Sequence, residues 1–370
     1  MKKLCVLFCL TILVSSSTNA QEIIPLDTTN WEIQANAYLF EKFKGQDAVY
    51  LQGGRIILKE SEFLNGRISF DLYLKEEPSF PGVYFRVQEE SQNSEQFYVR
   101  PHQSGNPDAT QAIPTVRGVS PWQLYFGNRY SFPFEFNFED WTHVEILVND
   151  DKAQVFMNYA KTPSLSWNLF HKAKKGGIQF RGGNASGLHL ANIKVSHEAP
   201  EIINFSPVKR KPIDGLIDQW QVSDKFEEAL LERPDIYDSL IRSRKWVDKI
   251  EVEEGTAANI SRALQLNDGK PGNTSFAKIE IQSEKDQLKL LDFGFSDRVV
   301  VILNGKPIYR GNNRWKSRDY RYLGTIGLFD SVYLNLIKGK NILLMAVSED
   351  FGGWLITGKF QNPDGIKIRE

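Results

Sequence analysis

Three short segments carry polar and aromatic side chains at two-residue steps. Tyr84, Arg86 and Gln88 alternate with Val83, Phe85 and Val87; Gln96, Tyr98 and Arg100 alternate with Phe97 and Val99; Gln123 and Tyr125 alternate with Trp122, Leu124 and Phe126. A period of two sends successive side chains to opposite faces of a strand. With the three segments in one sheet, Tyr84, Arg86, Gln96, Tyr98, Arg100, Gln123 and Tyr125 share a face. Aromatic rings beside planar, forked hydrogen-bonding groups suit a ligand with an apolar face and many hydroxyls, which is the chemistry of a sugar. The same alternation also describes an ordinary half-buried sheet with a solvated outer side.

Between the second and third segments lies Pro101 to Gly118, PHQSGNPDATQAIPTVRG, long for a connection inside a compact domain. Its His102 and Asp108, with Glu95 just upstream, are the candidate acid and base, and Gln111 a hydrogen-bonding neighbour. The competing reading is a solvated loop with three prolines and one exposed histidine. One histidine and scattered carboxylates give no metal-ligand spacing, so neither a metal nor any other cofactor is expected. A second candidate set lies near the C-terminus, in the loops Asp292 to Arg298, Gly311 to Arg321 and Ser348 to Trp354. Trp315, Arg318, Asp319, Asp350 and Trp354 could form a sugar subsite there; alternatively RWKSRDYR docks on the first half by charge pairing.

The elements that must position these residues are strands. AVYLQ, GRIILKE, GRISFDLYL, THVEILV, AQVFMN, GGIQFR and LHLANIKV are short, alternating and separated by Gly, Asn and Asp turns. The second half repeats the pattern, and Asn304-Gly305 between VVVIL and KPIY is a strong hairpin signal. The chain therefore reads as all-β: two antiparallel β-sandwiches, 21–198 and 253–370, joined by 199–252, a proline-containing, charged linker with short helices. Residues 1–20, MKKLCVLFCLTILVSSSTNA, read as a cleavable leader of bacterial type, which predicts export to the periplasm or medium. Both cysteines, Cys5 and Cys9, lie in that leader, so no disulfide, thiolate site or cysteine nucleophile is expected in the mature chain. No later stretch is long and apolar enough for a membrane span. The formal charge of −1 offers no basic surplus for nucleic acid.

The order of features resembles the concanavalin A-like jelly rolls, in particular laminin-G-like and 3-keto-disaccharide hydrolase-type domains. The shared marks are Gly82 to Arg86 as a G-[IV]-[YF]-[FL]-R strand and Trp141 to Val144 leading into a hairpin. The second half resembles the galactose-binding-like jelly roll, through Ile302 to Lys306 and Leu336 to Ile342. These resemblances imply sandwiches that bind glycans, proteins or calcium, the second often structural. Retaining glucanases of the first architecture resemble one another in an E-x-D-x-x-E strand, and this chain has none. The reading is thus an exported, non-catalytic binder of a poly- or oligosaccharide. The alternatives are a glycoside hydrolase or lyase using His102 with Asp108 or Glu95, and a structural or protein-binding module.

Overall fold

The structure, a computed structural model, describes residues 23–183 and 187–369. The expected leader lies outside them. The first unit contains β1 (Trp31–Gln34), β2 (Ala37–Phe43), β3 (Gln46–Gln52), β4 (Arg55–Leu58), β5 (Gly66–Tyr73), β6 (Gly82–Gln88), β7 (Asn93–Val99), β8 (Thr110–Thr115), β9 (Thr142–Asn149), β10 (Lys152–Met157), β11 (Leu165–Asn168), β12 (Gly177–Arg181) and β13 (Leu188–Ser196). They form a six-stranded sheet, β1-β4-β12-β6-β7-β8, and a seven-stranded sheet, β11-β10-β9-β5-β13-β3-β2. Alternate residues of both sheets, among them Val83, Phe85 and Phe97 from one and Phe70, Val144 and Ile146 from the other, form a single core. The first sandwich is thus held by the inward halves of its alternating strands.

Two local expectations fail here. The stretch read as a long polar loop contains β8, and WQLYF is not a strand but a run of turns. Pro114 lies within β8, and the strand is the last of its sheet, where a residue without an N–H is tolerated.

The second unit contains β14 (Gln219–Ser223), β15 (Trp246–Glu253), β16 (Ala257–Asn259), β17 (Thr274–Ser283), β18 (Gln287–Phe295), β19 (Arg298–Leu303), β20 (Lys306–Asn312), β21 (Asp330–Leu336), β22 (Gly339–Ser348), β23 (Leu355–Phe360) and β24 (Ile366–Arg369). The ladder runs β20-β19-β22-β17-β14-β15-β16-β23-β18-β21, with β24 on β17. β15 pairs with β14 through Trp246 to Glu251 and with β16 through Val252 and Glu253, so it carries the ladder from one layer to the other. The layers close on Trp220, Val301, Met345, Phe293 and Ile356. The Asn304-Gly305 turn joins β19 to β20 with both residues at positive φ, as that dipeptide predicts.

The segment expected as a linker supplies two of these strands and a cover. Phe226 from a bridge to Thr274, Leu231 from a 3-10 turn, and Tyr237 and Leu240 from the helix α1 (Tyr237–Ser243) pack on Val300, Ile302, Leu344 and Ala346. This explains why RVVVIL and NILLMAV are continuously apolar rather than alternating: the strap buries the outer face of strands whose inner face is already core. No helix among the described residues is long and apolar enough to cross a membrane.

Candidate functional site: a cleft between the two units

The open face of the six-stranded sheet carries two rows of side chains that cross it from strand to strand. The register aligns Gln34, Arg55, Arg181, Gly82, Tyr98 and Gln111 in one row. Ile57, Gln179, Tyr84, Gln96 and Ile113 form the next. Gly82 is fixed by space, since a Cβ there would lie 2.2 Å from the Phe97 carbonyl oxygen.

The second unit covers the β7–β8 side of this face and leaves a cleft of about 720 Å³. Its floor includes Gln96, Tyr98, Arg100 and Arg181; His102 and Trp122 stand at its side; Trp315, Asp297, Glu349 and Phe351 form the opposing wall. A second hollow of about 640 Å³ continues over Tyr84, Gln179 and Arg55. Both are lined by Arg181, Gly118 and Ser120, so they are one groove.

The covered floor is a polar network. Arg100 pairs with Asp108 at 2.8 Å and donates to the Tyr98 hydroxyl at 2.7 Å, with both side chains of the ion pair buried. Gln111 accepts from Tyr98 and Arg100, and its amide donates to the Trp122 carbonyl at 2.9 Å. The other Asp108 oxygen accepts from the Leu323 amide at 2.8 Å, which ties the network to the second unit. Burial pushes the Asp108 carboxyl up, while Arg100 and Leu323 pull it back. Gln123 is a second tie: its side-chain oxygen accepts from Ser296 at 2.7 Å and from the Gly353 amide at 3.1 Å.

The wall is aromatic and acidic. Trp315 is 71% exposed and stacks on Phe351, ring centres 4.6 Å apart at 26°. Trp122 approaches Phe351 from the first unit at 6.2 Å. Asp350 is bound by Arg298 at 2.9 Å. Asp297 accepts from the Asp350 and Phe351 amides. Glu349 is 1% exposed, and burial together with neighbouring Asp297 pushes its carboxyl well above the ordinary range. Burial and Arg100 push His102 down, which favours a neutral imidazole.

Four polar atoms at this cleft, Gln96 Oε1, Arg100 Nε, His102 Nδ1 and Glu349 Oε1, are shielded yet have no hydrogen-bond partner among the described residues. Such groups are costly to leave unpaired, and four of them belong to side chains that line this one cleft.

The cleft thus gathers Gln96, Tyr98, Arg100, His102, Gln123, Trp315 and Asp350, and Tyr84 lies along the adjoining groove. Other expected positions fall elsewhere. A bulge in β6 puts Arg86 at φ 51° and breaks the alternation, and its guanidinium goes instead to the Leu64 and Asp150 carbonyls. Tyr125 is buried, donating to Glu253 at 2.7 Å. Glu95 is on the core side of β7, accepting from the Phe170 and His171 amides, and desolvation pushes it up to about 7. Asp108 is committed to Arg100. Trp354 is core, its indole donating to Val347. Arg318 and Asp319 bind Asp330 and Arg321 in their own loop and do not line the cleft. Sequence reasoning passed over Arg181, Gln179 and Arg55, although Gln179 and Arg181 in GGIQFR show the same two-residue step. Among the described residues no cluster of His, Cys, Asp and Glu could hold a metal.

No protein-family model matches the sequence, and no curated protein matches it. Among solved structures, similarity extends to the carbohydrate-binding module CBM66 of Bacillus subtilis, at TM-score 0.34 and 9% identity over 45% of this chain and 95% of that one. A Bacillus licheniformis β-glucanase gives 0.34 and 8% over 48% and 96%. A Caenorhabditis elegans galectin gives 0.30 and 15% over 45% and 100%.

Proposed function

We propose that this chain binds a saccharide in the cleft between its two units. The first sandwich, read as a concanavalin A-like domain, supplies the hydrogen-bonding floor. The second, read as galactose-binding-like, supplies the aromatic wall, and the leader exports the whole. The observation that carries this is the set of three unpaired polar side-chain atoms, on Gln96, Arg100 and His102, opposite the exposed Trp315–Phe351 stack. A sugar ring laid on Trp315 would direct its hydroxyls across the cleft to Gln96, Arg100 and His102.

A second reading, saccharide cleavage, has Glu349 in its favour. Its carboxyl lies in the cleft wall, and burial beside Asp297 pushes it toward the acid form, the direction a proton donor requires.

The test is a glycan-binding screen with the products analysed by mass, followed by Trp315→Ala on whichever glycan binds. Loss of the stacking ring should weaken binding by about 0.5–1.5 kcal/mol, roughly 2- to 13-fold, and leave thermal unfolding unchanged. Undiminished affinity would remove the cleft as the site, and a new product would shift the reading to the enzyme.

A further inference from the structure

The groove beyond the cleft carries an electrostatic feature that a neutral sugar does not explain. Arg181 and Arg55 sit directly opposite each other on β12 and β4. Like charges directly opposite on neighbouring strands destabilise a sheet. Other arginines in this molecule have acidic partners: Arg100 has Asp108, Arg298 has Glu228 and Asp350, and Arg262 has Glu253. Neither Arg181 nor Arg55 makes an ion pair among the described residues, and Arg55 only donates to the neutral Gln179 at 2.9 Å. The carboxylates of the cleft are at the opposing wall, where Asp350 is paired and Asp297 accepts backbone amides. Glu89 is the acidic residue lining the outer groove, and it is exposed at the end of β6.

Resting on the saccharide reading, we infer that the ligand is an acidic saccharide chain. It spans cleft and groove and sets a carboxylate or sulfate against Arg181 and Arg55. Three aspects of the geometry agree. Arg181 lines both hollows, so a chain running from Trp315 to Tyr84 passes over it. The guanidinium fork accepts either anion in a two-point contact. Next to Arg181 in the row is Gly82, which carries no side chain to compete for that contact.

The test compares binding to size-defined oligogalacturonate, oligoalginate and chondroitin sulfate with binding to their carboxyl-reduced or desulfated counterparts, by calorimetry at low and high salt. At least one acidic chain should bind at least tenfold more tightly than its neutral counterpart, with the difference shrinking as salt rises. Arg181→Gln should erase that preference, a loss of about 10- to 100-fold for the acidic chain from one charged hydrogen-bonded contact. Affinity for the neutral counterpart, which can lose only a neutral hydrogen bond to Arg181, should fall by less than affinity for the acidic chain. Arg181→Lys should restore part of the preference, since the charge returns without the fork. Arg181 has no side-chain partner among the described residues, so thermal unfolding that does not fall serves as the control for folding. Equal affinity for acidic and neutral chains, or a preference that survives Arg181→Gln, would overturn this inference and leave the saccharide reading standing. Binding to no saccharide at all would remove both.

Discussion

The two halves of the six-stranded sheet carry similar side chains in the same rows and treat them in opposite ways. On the β7–β8 half, Tyr98, Arg100, Gln111 and Asp108 hydrogen-bond and ion-pair with one another beneath the second unit. On the β4–β12 half, Arg55 and Arg181 face each other without a counter-charge among the described residues, in a groove open to solvent. An arginine on a sheet face is therefore not a signature of either structure or binding. Its role is decided by whether a carboxylate from the same chain reaches it.

This contrast can be broken first on the covered side. Asp108→Ala should strand Arg100 as a buried, unpaired cation and release the Leu323 amide, destabilising the protein by about 3–5 kcal/mol in urea unfolding. A cost below 1 kcal/mol would mean that the network is solvated and that the two halves are not different in kind. The next largest effect comes from Glu95, under the same sheet. Its folded pKa of about 7 lies above the ordinary 4.5, so the folded state holds the proton more tightly than the unfolded one. The resulting stability is fully present below about pH 4.5 and is lost as the pH rises through 7, up to about 3 kcal/mol. Glu95→Gln should flatten that slope relative to the parent between pH 5 and pH 8. The smallest effect lies on the open side. In the absence of ligand, Arg181→Gln should leave stability unchanged or raise it by about 0.2–1 kcal/mol, because it removes a like-charge pair. A clear loss of stability would assign Arg181 a structural partner and remove the contrast.

Much of the architecture was legible because strand alternation and turn residues act locally. Asn304-Gly305 makes its hairpin, and Gln96, Tyr98 and Arg100 share a face as their spacing requires. The misses have equally local causes. The bulge at Arg86 turns a side chain away from the face its spacing assigns, and no residue in GVYFRVQ announces it. TQAIPT is polar and contains proline, so it reads as loop, and only its position at the sheet edge makes it a strand. WQLYF alternates like a strand, yet Gln111 holds it by its carbonyls as a turn. Trp354 and Trp315 are alike in sequence terms, and long-range packing alone buries one and exposes the other. The joining of two distant candidate sets across a single cleft depends on how the units dock, and nothing in the local sequence encodes it.

The strap and the layer-crossing strand β15 also bear on how the chain can be divided. The composition invites a cut near Glu253, but a fragment starting there lacks β14 and nearly all of β15. The ladder partners of β17 at Ala277 and Lys278 and of β16 at Ala258 would be lost, leaving bare hydrogen-bonding edges. Val300, Ile302, Leu344 and Ala346 would be uncovered on the adjoining face. Naked edges beside an apolar surface recruit other chains, so such a piece would self-associate. Ile217 and Trp220 lie in the second unit's core, so the segment that looks like a tether is part of that fold.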